Sequence, residues 1–312
     1  MKDANCLKAA LMVLFALLFS LRAEATESPY DINLLAAPTI NYDPFSGQIE
    51  AEAFRVRLDL SDVARSDRRT VSQQNRGRRL KLRIKPTTNS DFAVVNGIET
   101  LPLDVTPLGN ARGFGRTATE VFQEFTVGNN LILRTFNFVM AVPASIYADP
   151  GNYVLPINIE LLDVVSNAVL TSIETEIKVL VEVSLQSNIA GGSVNRNANS
   201  RFTLVDFGVL ETGESQQISL QVRGNASANI TLTSENDGRL QHTEDEQLFV
   251  NYSVDVDGEP SELEQPLQLI RAVDQTIQGS AYPIEIKIGD VGGSFSGSYR
   301  DIITVEVRPT LN

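Results

Sequence analysis

Apolar and polar residues alternate with a period of two through most of this chain, and helical spacing is scarce. Phe54-Arg55-Val56-Arg57-Leu58-Asp59-Leu60 alternates strictly, as do Leu80-Lys81-Leu82-Arg83-Ile84, Ile173-Glu174-Thr175-Glu176-Ile177-Lys178-Val179 and Ile284-Glu285-Ile286-Lys287-Ile288. Successive side chains of a strand point to opposite faces, so this pattern predicts strands with one wet face. Asn96-Gly97, Asp149-Pro150-Gly151, Asn236-Asp237-Gly238 and Asp257-Gly258 punctuate the runs as turns. Many short strands joined by such turns predict an all-β chain of sandwich type.

One segment occurs twice. Gly151-Asn152-Tyr153 leads into Ile157-Asn158-Ile159-Glu160-Leu161, and Gly297-Ser298-Tyr299 leads into Ile303-Thr304-Val305-Glu306-Val307, at a constant spacing of 146 residues. That spacing is a domain length, which predicts two related immunoglobulin-like sandwiches in tandem, residues 26–186 and 187–312. Their join is expected near Ser187–Ser193, where small and polar residues cluster. After Leu161 the first copy turns near Ser166-Asn167 into a further strand, about Val169 to Val183, whereas only Arg308 to Asn312 follow the second copy. The second sandwich is therefore expected to lack its final strand. An unpaired edge of that kind is a template for another chain, and its rim is predicted at Tyr299, Ile303, Val305 and Val307. Filling the groove with four or five large apolar side chains would contribute about 6–15 kcal/mol, at ~1.5–3 kcal/mol each, before ordering costs. The competing reading is that an N-terminal strand of the same sandwich closes the gap.

Composition adds the compartment. Lys2 and Lys8 precede an uncharged apolar run, Ala9 to Leu21, and Ala23-Glu24-Ala25 has the small-x-small form of a cleavage site. Residues 1–25 thus read as a signal peptide, since the run is too short for a bilayer of ~20-residue span. The single cysteine, Cys6, lies within it, so the exported chain is expected to hold no disulfide and to rely on its cores. No second stretch reaches membrane length. The net charge of −13 is concentrated after residue 183, which disfavours nucleic acid and anionic lipid as partners.

Four pieces in order carry a family likeness: Val205-Asp206-Phe207-Gly208-Val209-Leu210 with Gly213, then Ser234-Glu235-Asn236-Asp237-Gly238-Arg239-Leu240, then Val250-Asn251-Tyr252-Ser253-Val254, then Gly297 to Val305. They resemble the spore coat protein U domain, the pilin-like fold of archaic chaperone–usher pili, over roughly residues 195 to 309. In the first half the likeness is confined to Asn41-Tyr42-Asp43-Pro44-Phe45 and the Gly151–Leu161 segment. The resemblance implies assembly by donor-strand complementation, in which a periplasmic chaperone and then a neighbouring pilin subunit supplies the missing strand. It also implies an outer-membrane usher as partner and a cell-surface or extracellular destination. A two-domain member resembles a tip adhesin, used for attachment to a host or abiotic surface and for biofilm formation. Many relatives carry a disulfide, and this chain departs from them there. The alternative is a secreted coat or matrix protein that assembles with itself.

An adhesive first domain predicts contact residues on its loops. Arg65, Arg68, Arg69, Arg76, Arg78, Arg79, Lys81, Arg83 and Lys85 stand against one acid, Asp67, in an otherwise acidic chain. They read as a patch for anionic surfaces or polymers, or else as a charged hairpin that guards an edge. Arg112, Phe114 and Arg116 lie on a loop with Gly109, Gly113 and Gly115. Phe114 reads as an apolar contact tip or as a ring folded back on its own domain. No lysine and Ser/Thr follow these glycines, so they do not form a phosphate loop.

Catalysis finds little support. His242 is the one histidine, flanked by Glu244-Asp245-Glu246, without a nucleophile-elbow serine. The residue set for zinc or for a cysteine nucleophile is missing, and no cofactor, metal or catalytic residue is predicted. Asp255 and Asp257 share a strand face and suit weak calcium binding or simple turn chemistry. A carbohydrate-degrading or calcium-dependent enzyme is the third and least supported class. Asn225-Ala226-Ser227, Asn229-Ile230-Thr231 and Asn251-Tyr252-Ser253 match the glycosylation pattern but carry no meaning in a chain with a bacterial-type leader.

Overall fold

The alternation in sequence becomes alternation in burial. Leu80, Leu82 and Ile84 are fully buried while Lys81, Arg83 and Lys85, between and after them, turn to the other face. The computed structural model describes residues 30–35, 38–60, 76–88, 90–109, 112–127, 133–191 and 203–310. The predicted leader, with Cys6, and Arg65, Arg68 and Arg69 lie outside the described residues. No helix occurs among the described residues, so none is long and apolar enough to cross a membrane.

The first sandwich contains β1 (Tyr30–Leu34), β2 (Thr39–Tyr42), β3 (Glu50–Leu60), β4 (Arg79–Pro86), β5 (Ala93–Asn96), β6 (Glu99–Pro102), β7 (Asp104–Pro107), β8 (Phe114–Arg116), β9 (Val121–Thr126), β10 (Leu133–Val142), β11 (Gly151–Asp163) and β12 (Val169–Val181). One sheet runs β1-β3-β10-β7 and the other β2-β12-β11-β4-β9-β8, with the β5–β6 hairpin joined to β11. Between them lies a core that includes Phe54, Val56, Phe138, Met140, Tyr153, Ile157 and Ile159. The Phe54 and Phe138 rings stack at 5.3 Å, the offset separation such pairs prefer.

The second sandwich contains β13 (Leu185–Ala190), β14 (Ser215–Gly224), β15 (Ser227–Ser234), β16 (Arg239–His242), β17 (Phe249–Val256), β18 (Glu259–Ser261), β19 (Leu267–Arg271), β20 (Ser280–Ile288), β21 (Tyr299–Arg300) and β22 (Ile303–Thr310). Its sheets run β13-β14-β20-β17-β16-β21 and β19-β15-β22, with β18 beside β17. The two units share one plan. β13-β14-β20-β17 repeats β1-β3-β10-β7, and β19-β15-β22 repeats β9-β4-β11. This is the all-β, immunoglobulin-like double sandwich that the alternation and the repeat predict. The chain passes from one unit to the other between Val181, paired with Gly151, and Leu185, paired with Gly224. The crossing thus lies just ahead of the small-residue cluster that starts at Ser187.

The repeated glycine has one explanation in both units. A Cβ on Gly151 would stand 2.5 Å from the Asn96 side-chain nitrogen, and one on Gly297 would overlap the His242 ring. Each glycine leaves room for a side chain packed on the strand that follows.

Candidate functional site: an uncovered strand edge

In the first unit β11 is enclosed. It pairs with β4 on one side and β12 on the other, and β2 adds to β12 in parallel. The inward row Tyr153, Ile157, Ile159 and Leu161 is at most 1 % exposed as a result. In the second unit β22 pairs with β15 alone and ends its sheet among the described residues. The equivalent row Ile303, Val305 and Val307 packs against the second core but stays half-buried. Nothing in the repeat itself differs enough to cause this. The strand that covers β11 has no counterpart over β22 among the described residues.

Among the described residues no N-terminal strand closes the gap. β13 pairs with β14 in the opposite sheet, from Leu185–Gly224 to Ala190–Ser219. Beyond it, Val205, Phe207 and Leu210 lie half-buried on the second core without joining a ladder, while Leu204 and Val209 are exposed. The outer row of β22 holds Thr304, Glu306 and Arg308, with Arg308 paired to Glu306 at 2.6 Å. Pro309 sits near the end of the strand, the edge position where a missing N–H is tolerated. The stretch from Ile303 to Val307 carries no such guard, and its outward N–H and C=O groups are unmatched by any strand among the described residues.

Tyr299 takes a different place from its counterpart. Tyr153 belongs to the continuous β11, whereas Tyr299 lies on β21 and pairs with His242 of β16 in the other sheet. Asp301, between the two, explains the break. Its carboxylate accepts from Ser234 Oγ at 2.6 Å, from the Asn236 and Ile302 N–H groups at 3.1 and 2.7 Å, and from Tyr252 OH. Burial, and then this hydrogen bond to Asp301, raise the Tyr252 phenol above its ordinary range. One buried-side carboxylate therefore anchors the start of β22 to three neighbouring segments. No local pattern marks it, because an aspartate in a Tyr-Arg-Asp-Ile run looks like any turn residue.

From Arg78 to Lys85 the basic cluster is matched by carboxylates across the sheet. Arg79 pairs with Glu124 at 2.8 Å, Lys81 with Glu120 at 3.0 Å, Lys85 with Glu160 at 3.1 Å, and Arg83 with both Glu120 and Glu160. Arg78 pairs with Asp163. Arg76 is exposed at the start of this run. The acids come from β9, β11 and the loop before β9, so only the strand register joins them to the cations. Phe114 is half-buried against the first core, Arg116 pairs with Asp104 at 2.8 Å, and Arg112 is exposed.

Asp163 organises the end of the first sandwich remote from the second. It is 6 % exposed, and one of its oxygens accepts from the Val165 and Ser166 N–H groups at 2.9 and 2.8 Å. The resulting turn, with Asn167 at φ 59°, leaves Val165 87 % exposed. The Ser166 backbone hydrogen bond and then the Arg78 guanidinium hold the Asp163 carboxyl down at about 2. A depressed carboxylate contributes stability that is present above the unfolded value of about 3.9 and is lost as pH falls through the folded value. Thermal stability of the first unit is thus expected to fall between pH 4 and 2, and Asp163→Asn should flatten that fall while lowering Tm at pH 7. Melting curves across this range check both.

The remaining candidates make local contacts. His242 Nδ1 accepts from the Glu244 N–H at 3.2 Å and its ring meets Tyr299 edge-on at 5.0 Å. Asp255 accepts from Gly258 N–H at 2.8 Å and Asp257 pairs with Arg271 at 3.1 Å, which is hairpin chemistry. No group of three His, Cys, Asp or Glu side chains among the described residues is placed to hold a metal ion.

The molecule is thus a double immunoglobulin-like sandwich with one enclosed and one uncovered unit. No protein-family model matches the sequence, and no curated protein is similar to it. Among solved structures it is similar to the chaperone–tip adhesion subunit pre-assembly complex of the archaic chaperone–usher Csu pili of Acinetobacter baumannii, at 14 % identity over 89 % of this chain and 99 % of that one, with a TM-score of 0.45. It is also similar to the CupB6 tip adhesin of Pseudomonas aeruginosa, at 10 % identity over 88 % and 92 % of the chains and a TM-score of 0.39. A third is the major subunit of aggregative adherence fimbriae type I of Escherichia coli, at 14 % identity over 49 % and 95 %, TM-score 0.31.

Proposed function

We propose that this chain is a non-catalytic adhesive subunit of a chaperone–usher pilus, placed at the tip, with the first sandwich making contact and the second making the assembly joint. The contrast between β11 and β22 carries the reading: one repeated strand is fully covered in the first unit and half-bare in the second. A strand laid antiparallel to β22 would satisfy its free backbone groups and bury Ile303, Val305 and Val307. In transit the donor is a periplasmic chaperone, and in the pilus it is the next pilin subunit delivered by the usher. In the first unit the matching strand β11 is paired on both sides, which suits a terminal position and a surface-attachment role in biofilm. The likeness to the spore coat protein U domain over residues 195 to 309 supports the same assignment.

In this reading the contact face is the pole remote from the second unit. Arg76, Arg78 and Arg79 at the start of β4 and the Val165 turn both belong to this pole, because Arg79 and Asp163 lie at the opposite strand ends from Val181 and Gly151; Arg65, Arg68 and Arg69 of the proposed contact set lie outside the described residues. Arg112, Phe114 and Arg116 lie to the side of it, on β8 and the loop before it.

Periplasmic expression with the cognate chaperone is expected to yield a stable one-to-one complex, from which a pilin donor-strand peptide displaces the chaperone. A stable monomer that binds neither overturns the reading. Polymers of this chain alone would favour the self-assembling coat instead. For the contact face, Val165→Ser and Arg76→Glu are each expected to reduce attachment to plastic or anionic polymer several-fold while the chaperone complex forms normally. Unchanged attachment by both variants removes this pole from the proposal.

A further inference from the structure

We infer that Asn225 locks the two sandwiches into a single rigid body, so that load or orientation passes through the joint without a hinge. The connection between them is three residues, Glu182 to Ser184, and one side chain from the second unit holds it at both ends. Asn225 Nδ2 donates to Glu182 C=O at 3.0 Å, and Asn225 Oδ1 accepts from Ser184 N–H at 2.8 Å. The Asn225 backbone N–H donates to Ser184 C=O at 3.1 Å. The same Nδ2 reaches the first sandwich itself, donating to Ala148 C=O at 3.3 Å. Asn225 is 5 % exposed and Ala148 3 %, so the bond that reaches the first sandwich is shielded from water.

Both sides of the clamp are themselves braced. Ala148 belongs to the β10–β11 loop, whose Ile146 exchanges hydrogen bonds with the buried Tyr42 hydroxyl at 2.7 and 2.9 Å. Tyr147 donates to Asp149 Oδ1 at 2.7 Å and Tyr153 to Asp149 C=O at 3.1 Å. On the other side Gly224 brings its backbone against the connection, where a Cβ would stand 2.8 Å from Ser184 C=O. An amide is required at 225, since it alone offers two donors and an acceptor in one planar group. An aspartate of the same shape would keep the bond from Ser184 but set a carboxylate oxygen against two carbonyls. Burial also closes Asn225 to glycosylation despite its sequence match.

The inference concerns one chain and stands apart from the reading of the β22 edge, so either can fail alone. Small-angle scattering of the full-length chain is expected to fit one arrangement of the two units, and Asn225→Asp to require an ensemble of arrangements. The wild type supplies a readout that needs no variant: the Ser184 amide should exchange with solvent at least ~100-fold slower than an unstructured amide. Scattering from the wild type that demands an ensemble, or Ser184 exchange at the unstructured rate, overturns the inference. So does a single arrangement retained in a folded Asn225→Asp.

Discussion

Fusing to the C-terminus a short linker and a strand with apolar residues at alternate positions is expected to raise the melting temperature of the second sandwich by about 10 °C or more. A net gain of only ~3 kcal/mol produces that shift in a unit of this size. The gain has two sources. Ile303, Val305 and Val307 are half-buried as they stand, and covering them, with the donor's own side chains, removes apolar surface at about 25 cal/mol per Å². The donor also pairs with the outward backbone groups of β22, which no strand matches among the described residues. A fused strand with its apolar and polar positions exchanged is the control, because a one-residue slip turns every side chain to the wrong face. Calorimetry should show the second transition move with the first strand and stay with the control. Equal melting temperatures for all three proteins would show that β22 needs no partner.

Two substitutions at equivalent positions of the repeat are expected to have unequal costs. Ile159 is fully buried between β12 and β4, so Ile159→Ala should destabilise the first unit by about 2–5 kcal/mol, through lost transfer energy and the cavity left behind. Val305 occupies the same place in the repeat but is half-covered, so Val305→Ala should cost under about 1 kcal/mol without a donor strand. In the donor-fused protein the cost of Val305→Ala should rise to about 2 kcal/mol, because the site is then enclosed. Denaturant titration of wild type, the two single variants, the donor-fused protein and its Val305→Ala variant measures the difference. A Val305→Ala cost that does not depend on the donor would mean that the groove is filled from within.

Much of this architecture is legible in the sequence, for local reasons. A period of two records which strand face is wet, and Asn-Gly or Asp-Gly pairs record where the chain reverses. The repeated Gly-x-Tyr and the Ile/Val row after it record one strand used twice. Other features join residues far apart in sequence. Arg83 meets Glu160 only because β4 and β11 are neighbours in register, so the ion pairs of the run from Arg78 to Lys85 are invisible in its own sequence. Tyr299 follows the sequence pattern of Tyr153 yet joins the other sheet, because Asp301 is held by Ser234, Asn236 and Tyr252. Phe114 looks like an exposed tip on a glycine loop, and its contact with the first core appears only once β8 lies on β9.

Sequence by itself therefore determined the all-β class, the tandem plan and the strand whose cover is in question, since each rests on periodicity and repetition within short windows. Tertiary structure alone decided that β13 joins the opposite sheet, that Ile303, Val305 and Val307 stay half-bare, and that Asn225 bridges the joint. Burial and hydrogen-bond satisfaction depend on which distant segments come to lie side by side. No local pattern encodes that, and closely similar rows of branched aliphatic residues become core in one unit and an open edge in the other.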